Sequence, residues 1–241
     1  MTDTANRRVL VEPWSHDHSG CTIGGSLYAV EQRARSRAAQ ALAAAGCDIH
    51  ADVILDEHSR HRGVTWSELS EVRRLLPNVE IDLHLINLGQ PRPTQLLLHL
   101  ERAIQAAVSL RCHRITVVPA QIGQHRDRLD RLRAAGHQLW AEVSPREAAD
   151  TIKALDVDGA LVMLIEPGSK DQADLQLLDK VTQLRPSMSV GVDGGVTRRN
   201  ARACQDAGAS YLVSGRDLLT TCDTDHALRG SRSTGTKGLP R

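Results

Sequence analysis

A single parallel α/β barrel, the (β/α)8 or TIM-barrel class, is the fold this sequence predicts, on three observations. Short β-branched and apolar runs alternate with longer segments rich in alanine, leucine and arginine at helical spacing. Eight such runs occur, the number that closes a barrel. The 241 residues also match the roughly 250 that one such domain occupies.

The elements follow in order. The first expected strand is VLVEP (9–13), and the helical segment AVEQRARSRAAQALAAAG runs to Gly46, a natural C-cap. DIHADVIL (48–55), EIDLHLI (80–86), RITVVPA (114–120) and QLWAEVS (138–144) are the next four strands. SPREAADTIKALD opens on serine and then proline, the usual order at a helix start. GALVMLI (159–165) and SVGVDGG (189–195) follow, then the helix TRRNARACQDAGA closing at Gly208, and finally the strand SYLVSG (210–215). An open doubly wound sheet is the alternative, but no G-x-G-x-x-G follows the first strand. CTIGGSLY (21–28) has two glycines and little else of a phosphate loop. The tail 229–241, poor in apolar residues, and residues 1–7 are expected to be disordered, leaving 8–228 as one barrel domain.

Composition narrows the function. Thirty basic residues against 29 acidic give a net charge of +1, so bulk charge supplies no attraction to nucleic acid or an anionic membrane. Three Trp, two Tyr and no Phe leave little for base stacking. Five scattered cysteines without a C-x-x-C pair read as free thiols of a reducing, cytoplasmic compartment. No signal peptide or membrane-length apolar run is present.

In a barrel the site lies at the carboxyl ends of the strands. Polar residues inside the apolar strands are few: His50 and Asp52, Asp82 and His84, Glu142, and Asp193. A carboxylate there is costly unless paired or bound to a metal. Two histidines with two aspartates would suit one divalent ion such as zinc, iron, manganese or cobalt; a hydrogen-bonded core histidine is the simpler alternative for each imidazole taken singly. Asp82, two residues before His84 on the same face, could orient that imidazole or its layer, and Glu142 is either a substrate contact or a salt-bridged barrel carboxylate.

The strings CDIHADVILDE, EIDLHLIN, ALVMLIEPG and VGVDGGVTRRNARACQDAGASYLVSGRDLL, in that order, resemble the ribulose-phosphate 3-epimerase family from about residue 45 to 220. The resemblance implies that His50, Asp52, His84 and Asp193 bind one divalent metal. It also implies that Asp52 and Asp193 are the catalytic acid and base that invert C3 of a ketose phosphate, working on opposite faces of the substrate. Met163 would line the substrate space, or simply fill the core. Phosphate would be held after the last three strands, where Gly168, Gly194, Gly195 and Gly215 stand. The usual paired glycines are missing from EPGSKDQADL, and Arg216 replaces a serine, so Lys170 and Arg216 could supply charge instead of backbone amides. Two loops depart from the family: ILDEHSRHRG is longer and richer in histidine and arginine, and VEPWSHDHSGCTIGG retains only Ser15 as a substrate-contacting serine. His16 and His18, flanking Asp17, would mimic a metal site but lack further ligands. The family is commonly oligomeric, so a homo-oligomer is expected, with a sugar phosphate as the small-molecule partner and neither nucleic acid nor membrane. Another metal-dependent sugar isomerase or an aldolase on the same barrel, or a barrel kept only for binding, are the alternatives.

Overall fold

The computed structural model describes residues 7–223 except Ser59, Gly168 and Lys170. Of residues 1–7 and 229–241, expected to be disordered, Arg7 stands in a strand and the others lie outside the described residues, as do Gly168 and Lys170 with the roles suggested for them. Strand β1 (Arg7–Val11) leads into β2 (Thr22–Ser26), helix α1 (Arg35–Ala44), β3 (Asp48–Leu55) and β4 (His61–Gly63). Helix α2 (Trp66–Leu75), β5 (Ile81–Asn87), α3 (Pro93–Ser109) and β6 (Arg114–Val117) follow. Then come α4 (Pro119–Gln124), α5 (Arg126–Ala134), β7 (Gln138–Val143), α6 (Ala149–Lys153) and β8 (Gly159–Met163). The chain continues through α7 (Leu178–Leu184), β9 (Ser189–Asp193), α8 (Ala201–Ala207), β10 (Tyr211–Ser214) and β11 (Leu219–Asp223).

Eight parallel strands, β2, β3 and β5 to β10, close into the barrel, β2 joining β10 on one side and β3 on the other. The first barrel strand is therefore TIGGS, not VLVEP. Residues 7–11 instead form an antiparallel ribbon with β11, outside the barrel sheet. Two glycines make β2 look unlike a strand, and packing explains them: a Cβ on Gly24 would strike the Tyr211 ring, and one on Gly25 would strike Leu42 of α1.

β3 runs far past its partner. β2 pairs with it only as far as His50, and the vacated edge along Val53–Leu55 is taken by β4, running antiparallel. The segment ILDEHSRHRG thus contains a short strand rather than only a loop. At the helix starts, the serine-proline signal at 144–145 does not open a helix; α6 begins at Ala149. The reason is Lys180, whose ammonium donates to the carbonyls of Ser144, Pro145 and Glu147 at 2.9, 2.7 and 2.7 Å and holds them as a turn. Gly208 does end α8, in the left-handed conformation with φ 105°.

The core lies between strands and helices, where β3 is buried along nearly its whole length and α1, α3 and α5 contribute Leu42, Leu100 and Leu129. The barrel lumen is filled from below by Trp140, Leu161, Met163, Tyr211 and Val213. Among them stands the Arg114 guanidinium, 4.0 Å from the Tyr211 ring centroid, 4.7 Å from that of Trp140, and 3.2 Å from Asp48. Polar groups higher in the lumen consequently face only the carboxyl-terminal mouth. All five cysteines are free, and no helix among the described residues is long and apolar enough to cross a membrane.

Candidate metal centre

Side chains alternate along a strand, so His50, Asp52 and Ile54 of β3 share the lumen face, as do Asp82, His84 and Ile86 of β5. Register places His50 beside Asp82 and Asp52 beside His84. β9 brings Asp193 in from across the lumen, next to Met163 of β8. His50 and His84 are wholly buried and Asp52 nearly so.

These four side chains converge. One donor atom from each of His50, Asp52, His84 and Asp193 lies within 4.8 Å of the others. His50 Nε2 is 3.0 Å from Asp52 Oδ1 and 3.5 Å from Asp193 Oδ2, and His84 Nδ1 is 3.4 and 3.7 Å from the same two oxygens. A divalent ion bound at about 2.0–2.2 Å sets neighbouring donors roughly 3 to 3.6 Å apart, so the spacing fits. The buried His84 Nδ1 makes no hydrogen bond, which leaves it free to be a ligand. The set of two imidazoles and two carboxylates suits zinc, iron, manganese or cobalt.

The far side of each ligand is also occupied. His50 Nδ1 meets Asp82 Oδ2 at 2.6 Å and His84 Nε2 meets Glu142 Oε2 at 2.9 Å, so each ring has one nitrogen tied to a carboxylate and the other turned to the cluster. Ser26 Oγ donates to Asp52 Oδ2 at 2.8 Å, and the Gly194 amide donates to Asp193 Oδ1 at 2.6 Å. Burial pulls the His50 imidazole down, but Asp52 and Asp82 outweigh it and hold it well above its ordinary value. Burial likewise opposes charge on His84, which the neighbouring carboxylates Asp193, Asp52 and Glu142 raise. Burial would raise Asp52 and Asp193, yet the two imidazoles keep both below the usual carboxylate range.

Other expected site residues scatter. Met163 is buried in the lumen plug and is the register partner of Asp193. Ser15 does not reach the cluster: it is buried against the Glu12 carbonyl and the Cys47 thiol, which precedes β3. Ser26, which sequence reasoning missed, stands at the cluster instead; the signal was its position at the end of TIGGS, hidden by the choice of VLVEP as first strand. His18 rests on Gln205 and the Trp14 ring, and with His16 and Asp17 forms no metal-binding group among the described residues. Gly194 and Gly195 have φ of 95° and 69°, so the turn after β9 requires glycine. Gly215 packs too closely on Ala29 for a side chain, and Arg216 is exposed.

Fold and site together define an α/β-barrel protein with two imidazoles and two carboxylates gathered in an inward-facing cluster. The family model described as "Ribulose-phosphate 3 epimerase family" matches residues 22–219. The chain belongs to that family. It is 26% identical over 158 residues to the ribulose-phosphate 3-epimerase of Schizosaccharomyces pombe, covering 63% of this chain and 65% of that one. It is 27% identical over 205 residues to the chloroplastic ribulose-5-phosphate-3-epimerase of Arabidopsis thaliana, covering 80% and 70%. The chain thus spans about two thirds of the length of these relatives. In fold it is similar to a mutant tryptophan synthase alpha-subunit of Pyrococcus furiosus, with a TM-score of 0.61, 15% identity, and 82% and 88% of the two chains covered.

Proposed function

We propose that the protein is a metal-dependent epimerase that inverts C3 of a ketose phosphate, with Asp52 and Asp193 exchanging the proton. The observation that carries this reading is the placement of those carboxylates. They come from different strands, β3 and β9, each turns one oxygen to the cluster, and each has its other oxygen held by a separate donor, Ser26 or the Gly194 amide.

Epimerisation next to a carbonyl needs a base on one face of the substrate and an acid on the other. Asp52 and Asp193 both face His50 and His84, and the reaction requires one of the two carboxylates to hold a proton while the other is ionised. His50, His84, Asp52 and Asp193 would hold the divalent ion, which when bound supplies positive charge against the negative charge that develops on the substrate oxygens. Asp82 and Glu142 fix the two rings, and the plug of Trp140, Leu161 and Met163 keeps water from entering below.

The test is solvent-deuterium exchange at the substrate carbon, run on a panel of ketose phosphates with the metal-loaded protein. Exchange with inversion and no carbon–carbon cleavage supports the reading. Cleavage would point to an aldolase on the same barrel, and no turnover of any ketose would leave a binding barrel.

A further inference from the structure

The β3–β4 hairpin carries a pair of arginines that the proton-transfer chemistry does not use. Arg62 is paired with Ile54, and residues directly opposite in an antiparallel pair project to the same face. Ile54 shares its face with His50 and Asp52, so Arg62, and Arg60 two residues before it, lie on the lumen side. His61 between them points outward, its ring 5.7 Å from that of Trp66 and 5.9 Å from that of His99. Arg62 is thus two strand positions beyond Asp52, about 7 Å further toward the mouth.

Both guanidiniums are held from behind. Asp56 is nearly buried and accepts from the amides of His58 and Arg60 at 3.0 and 2.9 Å through Oδ1. Its Oδ2 accepts Arg60 Nε at 2.9 Å and Arg62 Nε at 2.8 Å. A single carboxylate therefore holds two guanidiniums side by side, and one positive charge remains. The terminal N–H groups of both meet no partner among the described residues, and the two side chains are 60% and 52% exposed. The hairpin itself is anchored: Gly63 approaches the Asp52 carbonyl too closely for any side chain, the Val64 amide donates to that carbonyl at 2.8 Å, and buried Arg35 donates to the Gly63 carbonyl at 2.7 Å. Two forks fixed at their Nε atoms, with their outer N–H groups open, suit bidentate contact with an oxyanion.

The turn after β9 is partly self-satisfied by comparison. The Gly194 amide is taken by Asp193, and the Arg198 amide by the Asp217 carboxylate at 2.7 Å, which places negative charge where an anion would bind. We infer that Arg60 and Arg62 form an oxyanion subsite at the barrel mouth, taking the phosphate of a sugar phosphate or the carboxylate of a sugar acid. This rests on the epimerase reading for its substrate but not for its geometry.

The experiment titrates inorganic phosphate, and separately acetate, into the metal-loaded protein, into Arg60→Gln and Arg62→Gln singly, and into the double variant. Thermal unfolding and metal content are measured alongside. The expected result is a loss of about tenfold or more in affinity for one anion in the double variant, with a smaller loss in each single variant and metal content unchanged. Dependence confined to phosphate identifies a sugar phosphate, and dependence confined to acetate a sugar acid. If the variants only lower the unfolding temperature and bind both anions as wild type does, the arginines merely neutralise Asp56 and the inference is overturned. Deuterium exchange on a ketose, run in parallel, separates the two ideas: arginine-dependent anion binding without exchange keeps the subsite and removes the epimerase, and the converse result removes the subsite alone.

Discussion

His50 Nδ1 lies 2.6 Å from Asp82 Oδ2, so the ring has only Nε2 to offer toward Asp52 and Asp193. Asp82 is almost completely buried and is 4.0 Å from the Arg114 guanidinium, which gives the imidazole a charged and immobile backing. Glu142 does the same for His84.

Asp82→Asn and Glu142→Gln should keep the shape of their sites while weakening the grip on each ring. Loss of such a partner lowers metal affinity by about 10- to 100-fold. Competition with a chromophoric chelator measures it, and unchanged affinity in both variants would remove these carboxylates from the metal site.

Asp52→Asn and Asp193→Asn should each abolish detectable turnover. Both residues are also ligands, so metal analysis must accompany the assay. A variant that keeps its metal but loses proton exchange isolates the acid or base role, and near-wild-type activity in either would refute it.

Gly63 has φ 79° and sits against the Asp52 carbonyl, so Gly63→Ala should strain the backbone and push β4 off β3. A cost of about 1–3 kcal/mol is expected, read as a lower urea midpoint. Gly46, also at positive φ but with open space around it, should lose less on the same substitution, because only the conformational penalty applies.

Burial, with the neighbouring His61 adding to it, pushes the His99 imidazole down to about 4. The unfolded chain, with an ordinary value of about 6.5, then binds more protons than the folded one between those limits. The stability contributed by neutral His99 is complete above about pH 6.5 and is lost as pH falls toward 4. His99→Leu should flatten that part of the stability profile in urea titrations at successive pH values.

The clustered residues were legible because a strand buried on both faces exposes any polar residue as an anomaly. His50, Asp52, His84 and Asp193 are such anomalies, and the pairing of β3 with β5 brings three of them together. Ser26 and the first barrel strand were not legible. A strand facing Tyr211 and Leu42 has room only for glycine, and glycine erases the β-branched pattern by which strands are recognised. VLVEP has that pattern and does form a strand, but its partner β11 lies at the other end of the sequence, a pairing that local spacing cannot specify. The short β4, His-Arg-Gly, likewise has no apolar alternation; it is held by backbone contacts to the Asp52 carbonyl and Arg35 and by polar contacts of its own Arg62 with Asp56. The helix start at residue 144 failed for a similar reason: Lys180, from a distant element, claims the carbonyls.

The ribbon of β1 with β11 sets Val9 opposite Thr221, and closure of the barrel through β2 and β10 likewise joins early residues to late ones. During synthesis neither seam can form until residues 211–223 have been made. The half-built sheet therefore keeps an open edge until β10 and β11 emerge, and a chaperone that shields such an edge would act on this protein up to that point.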